Sequence, residues 1–384
     1  MSISKTMIAG ITFEVSSLGK LRVFSVFSLA ALWYFRERGA AMRKVVIHRP
    51  GGFNQLKIES FPDPSPDKDQ VVVETKAIGV NYADCVVRMG FYASQKKHIG
   101  WPITPGFDFS GVVVKTGTNV THIKEGDKVF GVTFFNAYAT HVVVPQDWIF
   151  SIPQNISFEE AGGFMTIFCT AYYALHLSVK IFPGSTILVH SAAGGVGSAL
   201  LQLCKQGGWR TIGVVGSSHK VEAAKNMGAD VVIDKSQEDL WKAVRTHAPE
   251  GCDVVLDGNG ILTLRGSYRV LKPTGKLISY GFHSMFPKEK GIPNYYKLMM
   301  NYFRTPKFNP VDMHKKNKNL ITFNLSFLFK RKDLLDITMD DLYPWLKEGQ
   351  IRMPKTTPYP FEEVAQAHRD IQSGQTVGKL VLVP

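Results

Sequence analysis

The sequence predicts an α/β protein with two domains, a β-barrel-like half and a doubly wound parallel sheet. Two patterns carry this prediction. Residues 43–144 form short apolar runs separated by Gly, Pro and Asp turns, which is typical of an antiparallel β domain. Between residues 166 and 321, apolar strands alternate with helical segments, which is typical of βαβ units. A chain of 384 residues is long enough for both domains.

The elements follow in order. After the β-rich half, Ser157 caps a helix with an acidic first turn, and the strand–helix alternation follows. A strand over Phe323–Phe329 and a helix over Met339–Leu346 then lead to a β-rich tail. We expect this tail to rejoin the first half. The predicted domains are therefore 43–165 with 322–384, which form the catalytic domain, and 166–321, which form the nucleotide-binding domain.

Residues 1–42 form an extension with an apolar run over 23–35, bracketed by basic residues. Thirteen helical residues rise only about 20 Å, too little for a hydrocarbon core of about 30 Å. The run suits a mitochondrial presequence or an interfacial helix. The alternative is that residues 1–41 are an upstream leader and that Met42 is the first residue of the functional protein. The expected location is cytoplasmic, at a membrane surface if the basic segment binds lipid, or mitochondrial if the presequence is real.

The positive charge is local. The net charge is +13, but residues 283–332 carry eleven basic and two acidic side chains and the extension carries five and two. The remaining residues are nearly neutral, which argues against a nucleic-acid partner. The four cysteines are widely spaced, so a metal cluster or a disulfide framework is not expected.

A glycine-rich turn is the sharpest motif. The strand Ile187–Val189 leads into Ala193, Gly194, Gly195 and Val196 and then a helix, the arrangement that binds a pyrophosphate. The next strand ends in Ser217, Ser218 and Lys220 without a carboxylate. Hydroxyls and a lysine suit the 2′-phosphate of NADPH, whereas a carboxylate would suit NADH. The alternative is that Lys220 is only a solvated residue at the start of a helix and does not bind the cofactor.

From Arg43 to Pro384 the chain resembles the quinone oxidoreductases of the medium-chain dehydrogenase/reductase superfamily that lack zinc, and within them the vesicle amine transport branch. The motifs that carry the resemblance are Gly79–Asp84, Pro105–Gly111, Gly126–Val129, Ala192–Gly197, Leu271–Gly275 and Gly378-Lys379. The resemblance implies a GroES-like catalytic domain and a Rossmann domain. It also implies a homodimer joined at sheet edges, for which Phe323–Phe329 is the candidate strand.

The implied activity is hydride transfer from NADPH to a small apolar quinone or an α,β-unsaturated carbonyl compound. Asn81 and Tyr82 match positions beside the nicotinamide and substrate, and Tyr82 or Tyr92 could donate a proton. The family positions near the cofactor are Thr170, Gly258, Asn259, Tyr280, Phe282 and Lys379. Asp234 departs from the pattern, since NADPH-dependent relatives often have a tyrosine at this position near the adenine phosphate. A carboxylate there would repel the phosphate unless it turns toward Lys235, which argues against NADPH.

Three further expectations concern charge and metal. Phe107 stands where zinc enzymes of the superfamily have a histidine, so no metal is predicted, and His98, His122 and His141 are expected at turns or on the surface. Asp84 and Arg88 are spaced for an ion pair on one helical face. Phe91, Tyr92, Phe134 and Phe135 are expected to line an apolar substrate pocket.

The basic segment 283–332 interleaves aromatic residues with cations, which suits peripheral contact with a membrane or the mouth of a hydrophobic pocket. The alternative is that Tyr296, Met299, Met300 and Phe303 form the buried stripe of an amphipathic helix. A second function therefore stays open beside the reductase: an NADPH-binding, membrane-associated interaction protein with weak or lost catalysis.

Overall fold

The computed structural model describes residues 6–8, 11–15, 21–25, 42–328 and 330–384. In the extension, three short strands pair antiparallel: β1 (Thr6–Ile8), β2 (Ile11–Val15) and β3 (Leu21–Ser25). Most of the apolar run 23–35 lies outside the described residues. Within the described part of the chain, no helix is both long and apolar enough to cross a membrane.

The first half from Met42 is rich in strands. Its elements are β4 (Met42–Val46), β5 (Lys57–Phe61), β6 (Gln70–Val80), α1 (Tyr82–Arg88), α2 (Ala93–His98), β7 (Asp108–Thr116), β8 (Lys128–Val132), β9 (His141–Pro145), β10 (Ile149–Ser151) and α3 (Phe158–Tyr172).

The second half alternates strands and helices. Its elements are β11 (Thr186–His190), α4 (Gly195–Gln206), β12 (Arg210–Val215), α5 (Val221–Asn226), β13 (Val231–Asp234), α6 (Leu240–His247), β14 (Cys252–Asp257), α7 (Leu264–Arg269), β15 (Leu271–Ser279), α8 (Tyr295–Arg304), α9 (Pro310–Lys316) and β16 (Asn319–Thr322). The tail adds α10 (Lys332–Lys347), β17 (Thr356–Pro360), α11 (Val364–Ser373) and β18 (Lys379–Val383).

Two large sheets organise these elements. The nucleotide-domain sheet is parallel, in the order β13-β12-β11-β14-β15-β16, and its strand order reverses between β11 and β14. Ligands of such sheets bind at this switch point, beyond the carboxyl ends of the strands. The other sheet runs β10-β8-β7-β6-β18-β17, with β9 also paired to β6. The two-domain α/β prediction is confirmed.

Helix α3 joins the two halves. Ser157 caps it as predicted: the Glu160 N–H donates to the Ser157 hydroxyl at 3.2 Å, and the Glu160 carboxylate accepts from the Ser157 N–H at 3.0 Å. Its apolar residues are buried, and the rings of Phe164 and Phe168 stack 4.4 Å apart. The helix packs against β6 and β7 on one side and against α4 on the other, so it fixes the catalytic sheet next to the glycine-rich turn.

The strand expected over Phe323–Phe329 is wrong. The outer strand of the parallel sheet is β16, which ends at Thr322, and a 3₁₀ turn follows over Leu325–Leu328, with Phe329 outside the described residues. The reason is local, because the Asn324 side chain accepts hydrogen bonds from the backbone N–H and the hydroxyl of Ser326 and so turns the chain out of the sheet.

Candidate active site

A cavity of about 1090 Å³ lies where the glycine-rich turn meets the catalytic sheet. It collects side chains from both halves of the chain and from the tail. The predicted site residues that line it are Asn81, Tyr82, Tyr92, Thr170, Ala193, Gly194, Gly195, Val196, Lys220, Asn259, Tyr280, Phe282 and Lys379. Ser217, Ser218 and Gly258 are not among the lining residues.

The glycine-rich turn follows β11 and is held from two directions. The Ser191 hydroxyl donates to the Asn259 side chain at 2.8 Å, which ties the turn to the end of β14. The Gly378 N–H donates to the Ala193 carbonyl at 2.8 Å, which ties it to the tail. A Cβ atom at Gly197 would lie 2.2 Å from the Ser191 carbonyl oxygen, so only glycine lets the helix begin this close to the strand.

The turn fits a dinucleotide pyrophosphate. A Cβ atom at Gly194 would meet only the Ser191 carbonyl oxygen within 4 Å, at 3.3 Å, so that face of the backbone is open. The first turn of α4 presents backbone N–H groups and the positive end of the helix dipole toward the same place. Nearby, the Thr166 hydroxyl is buried in the cavity wall without a hydrogen-bond partner among the described residues.

Three lysines converge at the outer end of the cavity: Lys220, Lys235 and Lys288. Burial lowers the pKa of Lys220, and repulsion from Lys288 and Lys235 lowers it further. Burial also lowers the pKa of Lys235, and Lys288 adds to the shift. None of the ion pairs among the described residues includes these three ammonium groups, although that of Lys220 donates a hydrogen bond to the Gly374 carbonyl at 2.5 Å. Three neighbouring cations without a carboxylate partner are the charge pattern of an anion site.

The Asp234 carboxylate does not line this end of the cavity. Its carboxylate accepts hydrogen bonds from the Ser218 hydroxyl at 2.6 Å and from the Ser236 hydroxyl and N–H at 2.6 and 2.9 Å. These donors lower the pKa of Asp234, so the group is ionised at neutral pH. Asp234 is thus occupied by two serines and does not line the cavity, while Lys235 beside it does. Lys235 reaches within 3.6 Å of where a Cβ atom at Gly216 would lie, at the end of β12.

At the inner end, Lys379 has partners of its own. Its ammonium donates to the Asn81 side-chain oxygen at 2.6 Å and lies 3.4 Å from the Asp108 carboxylate. Asn81 in turn donates to Asp108 at 2.7 Å, and the Thr166 N–H donates to the same carboxylate at 3.2 Å. The Lys379 side chain is only 3% exposed, so its contacts are with catalytic-domain groups and not with the outer anion site.

Asp84, in the first turn of α1, contacts the backbone of Asn81 in this group. Its carboxylate accepts from the N–H of Asn81 at 2.8 Å, the N–H of Gly106 at 3.1 Å and the hydroxyl of Tyr138 at 3.0 Å. Burial raises the pKa of Asp84 to about 7, against the opposing effect of these donors. The contact with Asn81 fixes the backbone from which the Asn81 side chain enters the cavity.

The expected ion pair between Asp84 and Arg88 is wrong. Arg88 is fully buried and its guanidinium donates to His368 at 3.1 Å, to the Gln372 side chain at 2.7 Å and to the Gly291 carbonyl at 3.2 Å. Asp84 is engaged at the helix N-terminus, so its carboxylate has turned away from the face that Arg88 occupies. Arg88 instead fastens the segment after β15 to the catalytic domain.

The substrate side of the cavity is aromatic. The Tyr82 hydroxyl donates to the His283 carbonyl at 3.3 Å, and its ring lies 4.2 Å from the His283 ring. The Tyr92 hydroxyl donates to the Asn324 side chain at 3.1 Å. Burial raises the pKa of Tyr82 and brings that of Tyr92 to about 12, so both hydroxyls keep their protons at neutral pH. Phe91 completes this wall.

Phe134 and Phe135 do not line the cavity, contrary to expectation. Phe135 is fully buried behind Tyr92 and Phe107, with ring centroids 6.2 and 4.9 Å away. Phe107 takes the expected place in the lining. The described residues contain no cluster of three or more His, Cys, Asp or Glu side chains arranged to hold a metal ion.

Comparisons with known proteins agree with this geometry. Residues 67–154 match the model described as alcohol dehydrogenase GroES-like domain, and residues 227–382 match the model described as zinc-binding dehydrogenase. The human synaptic vesicle membrane protein VAT-1 homolog is 31% identical over 345 residues, which cover 89% of this chain and 86% of that protein. This chain belongs to the medium-chain dehydrogenase/reductase superfamily. Within the superfamily it is quinone oxidoreductase-like, with VAT-1 homologs as relatives.

Solved structures of this superfamily share the arrangement. The crystal structure of the human VAT-1 homolog-like protein matches with a TM-score of 0.75 and 31% identity, covering 90% of this chain and 98% of that one. Escherichia coli quinone oxidoreductase, solved in complex with NADPH, matches with a TM-score of 0.76 and 28% identity, covering 90% and 100%. The GroES-like and Rossmann domains and an oxidoreductase of the medium-chain type are thereby established.

In this member of the medium-chain dehydrogenase/reductase superfamily, sequence reasoning missed three groups of the site. Lys288 lies about seventy residues beyond Lys220, in an irregular segment without a motif. The sequence indicates Lys235 only as a partner for Asp234. Asp108 lies inside the motif Pro105–Gly111, which assigns no role to its carboxylate, although that carboxylate accepts a hydrogen bond from Asn81 and pairs with Lys379. The signal that could have identified Asp108 was its place at the start of a buried strand, where a carboxylate needs partners.

Proposed function

We propose that this protein is a reductase that depends on NADPH, needs no zinc, and reduces quinones or α,β-unsaturated carbonyl compounds by hydride transfer. The observation that carries the proposal is one cavity with two ends: at the outer end, three lysines that form no ion pair among the described residues, and at the inner end, a paired Asn81–Asp108–Lys379 group. The NADPH complex of the Escherichia coli quinone oxidoreductase supports the same assignment.

The glycine-rich turn and the three lysines would hold the cofactor. The turn takes the pyrophosphate, and Lys220, Lys235 and Lys288 provide three cations for the 2′-phosphate. Asp234 does not oppose that phosphate, because two serines hold its carboxylate. NADPH, when bound, supplies the hydride.

The chain's own residues orient the substrate and supply a proton. Asn81 is held by Lys379 and Asp108, so its amide has one fixed orientation in the cavity. Tyr82 and Tyr92 present protonated hydroxyls at the aromatic wall, where either can donate to the substrate oxygen as it gains negative charge. The apolar wall excludes water from that oxygen.

Zinc is not needed in this scheme. Zinc enzymes ionise an alcohol before oxidising it, whereas a quinone or an enone already accepts a hydride. The position that holds a zinc ligand in those enzymes is occupied by Phe107, whose side chain cannot bind a metal ion and lines the cavity.

The test is nicotinamide oxidation by the full-length protein after dialysis against a chelator. The proposal expects oxidation of NADPH when naphthoquinone or methyl vinyl ketone is added, with NADH much less effective and with no response to added zinc. Tight NADPH binding without oxidation by either acceptor would instead favour the interaction protein with weak or lost catalysis. Absence of NADPH binding would refute the cofactor assignment itself.

A further inference from the structure

Lys288, one of the three lysines at the outer end of the cavity, lies in a segment without regular structure. The segment 287–291 follows β15 and belongs to no helix or strand. The Lys288 side chain is exposed, although it reaches the cavity lining. Its place at the cavity therefore depends on what binds the backbone before and after it.

Two buried side chains, one from α1 and one from α11, bind this backbone. The Gln372 side-chain amide donates to the Pro287 carbonyl at 2.7 Å and to the Lys290 carbonyl at 2.8 Å. Arg88 donates to the Gly291 carbonyl at 3.2 Å. These hydrogen bonds fix the chain on both sides of the exposed lysine.

The Gln372 amide is fully used in these contacts. Its two N–H groups donate to the segment, and its oxygen accepts from the Arg88 guanidinium at 2.7 Å. The Gln372 residue is only 2% exposed, and a buried amide that left these bonds would find no water to replace them. The amide therefore has one orientation, and the segment is held in the matching place.

The helix that follows the segment does not anchor it. Helix α8 (Tyr295–Arg304) contains no buried residue. Tyr296, Met299 and Phe303 are exposed, so the expectation that they form a buried stripe is wrong, and Met300 is only half-buried. The backbone beside the lysine is thus held from α1 and α11 and not from α8.

The end of α11 also binds a second lysine of the outer end. Gln372 lies in the last turn of α11, and the carbonyl of Gly374, just after the helix, accepts from the Lys220 ammonium at 2.5 Å. The carboxyl end of a helix carries partial negative charge and favours cations. One helix end thus holds Lys220 directly and Lys288 through its backbone.

We propose that Gln372 is a positioning residue that sets the preference for NADPH over NADH, because it holds Lys288 where this lysine can contact the 2′-phosphate. The inference rests on the proposed cofactor. It goes beyond that proposal because it makes α11, which packs against α1 and β18, part of the phosphate site. Gln372 acts through Lys288 and not by its own contact with the phosphate.

The test is the ratio of NADPH to NADH dissociation constants, measured by fluorescence titration of the full-length protein without an electron acceptor. Lys288→Met changes an exposed side chain and should weaken NADPH binding about tenfold, with NADH binding unchanged. Gln372→Met should weaken NADPH binding at least about threefold, again with NADH unchanged. In the double variant, Gln372→Met should add nothing to the effect of Lys288→Met, because both act through one contact.

Two more variants control for helix position and for folding. Gln366→Met changes an exposed glutamine of α11 outside the cavity lining, and it should keep the wild-type ratio. Gln372→Glu keeps the acceptor for Arg88 but loses both donors to the segment, so it should lose the NADPH preference even if Gln372→Met is too unstable to purify.

The possible failures are distinguishable. A wild type that binds NADPH and NADH equally would refute the proposed cofactor and this inference with it. A wild type that prefers NADPH, with the preference unchanged in Lys288→Met or in the Gln372 variants, would refute only the role of Gln372. Equal weakening of both nucleotides by the Gln372 variants, or an additive loss in the double variant, would likewise overturn positioning through Lys288.

Discussion

The two ends of the cavity both use lysine, but in opposite settings. Lys379 at the inner end is buried against Asn81 and Asp108, so its charge is balanced within the protein. Lys220, Lys235 and Lys288 at the outer end face one another, and repulsion contributes to the lowered pKa of Lys220 and Lys235. A balanced cation builds the structure that positions other groups, whereas a cluster of unbalanced cations attracts an anionic ligand.

The largest expected effect is on the free energy of unfolding, and it should differ between the lysines at the two ends of the cavity. Lys379→Met should lower the free energy of unfolding by about 3–5 kcal/mol, because it leaves the Asp108 carboxylate buried without its cation. Lys235→Met should change it by less than about 1 kcal/mol, because that ammonium has no ion-pair partner among the described residues. Denaturant unfolding of the two variants measures the difference.

The double variant Asp108→Asn/Lys379→Met is the control for this comparison. It removes both charges and should recover part of the stability lost in Lys379→Met, which shows that the two residues are coupled. Equal losses in Lys379→Met and Lys235→Met would refute the distinction between the ends.

The next effect concerns the proton donor near the inner end. Tyr82→Phe should lower kcat by about a hundredfold with the NADPH dissociation constant unchanged, because a general acid contributes about 10²–10⁴. Tyr92→Phe should cost only about fivefold, the effect of one hydrogen bond, because the Tyr92 hydroxyl donates to Asn324 at 3.1 Å, whereas the bond from Tyr82 to the His283 carbonyl is longer, at 3.3 Å, and is more easily exchanged for the substrate. Steady-state rates with naphthoquinone measure both, and the reverse order would exchange the two roles.

The smallest effect is a pH dependence at the outer end. A bound phosphate favours the charged lysines, so NADPH affinity should fall as the pH rises through their lowered pKa values. We expect NADPH to bind several-fold more weakly at pH of about 9.5 than at about 7.5, and NADH to change less. Fluorescence titrations of both nucleotides check this, and identical pH profiles would argue against a phosphate contact.

The predictable parts of the molecule were those with a local cause. The Ser157 cap, the strand–turn–helix around Gly194 and the alternation of the parallel sheet all depend on neighbours within a few residues, and the structure contains each of them. Thirteen of the predicted site residues line one cavity, and eight of them follow strands of the parallel sheet, whose carboxyl ends meet at one edge. The other five, Asn81, Tyr82, Tyr92, Thr170 and Lys379, come from the first half, from helix α3 and from the tail.

The parts that failed depend on distant partners. Asp84 and Arg88 have the spacing of an ion pair, but Arg88 instead binds His368, Gln372 and Gly291, which spacing within one helix cannot reveal. The strand expected over Phe323–Phe329 is absent, because the Asn324 side chain accepts hydrogen bonds from Ser326 and from Tyr92, and Tyr92 lies 232 positions away in the sequence. Helix α8 has an amphipathic sequence, and only its exposure shows that the apolar face is uncovered.

The most direct test of the account is the ratio of NADPH to NADH dissociation constants for the wild type and Lys235→Met. The account predicts that the wild type prefers NADPH and that the variant loses about tenfold to a hundredfold of that preference, the cost of one charged hydrogen bond. Lys225→Met, which removes an exposed lysine outside the cavity lining, should keep the wild-type ratio. A wild type that binds both nucleotides equally, or a variant that weakens both equally, would contradict the assignment of the outer end to the phosphate of NADPH.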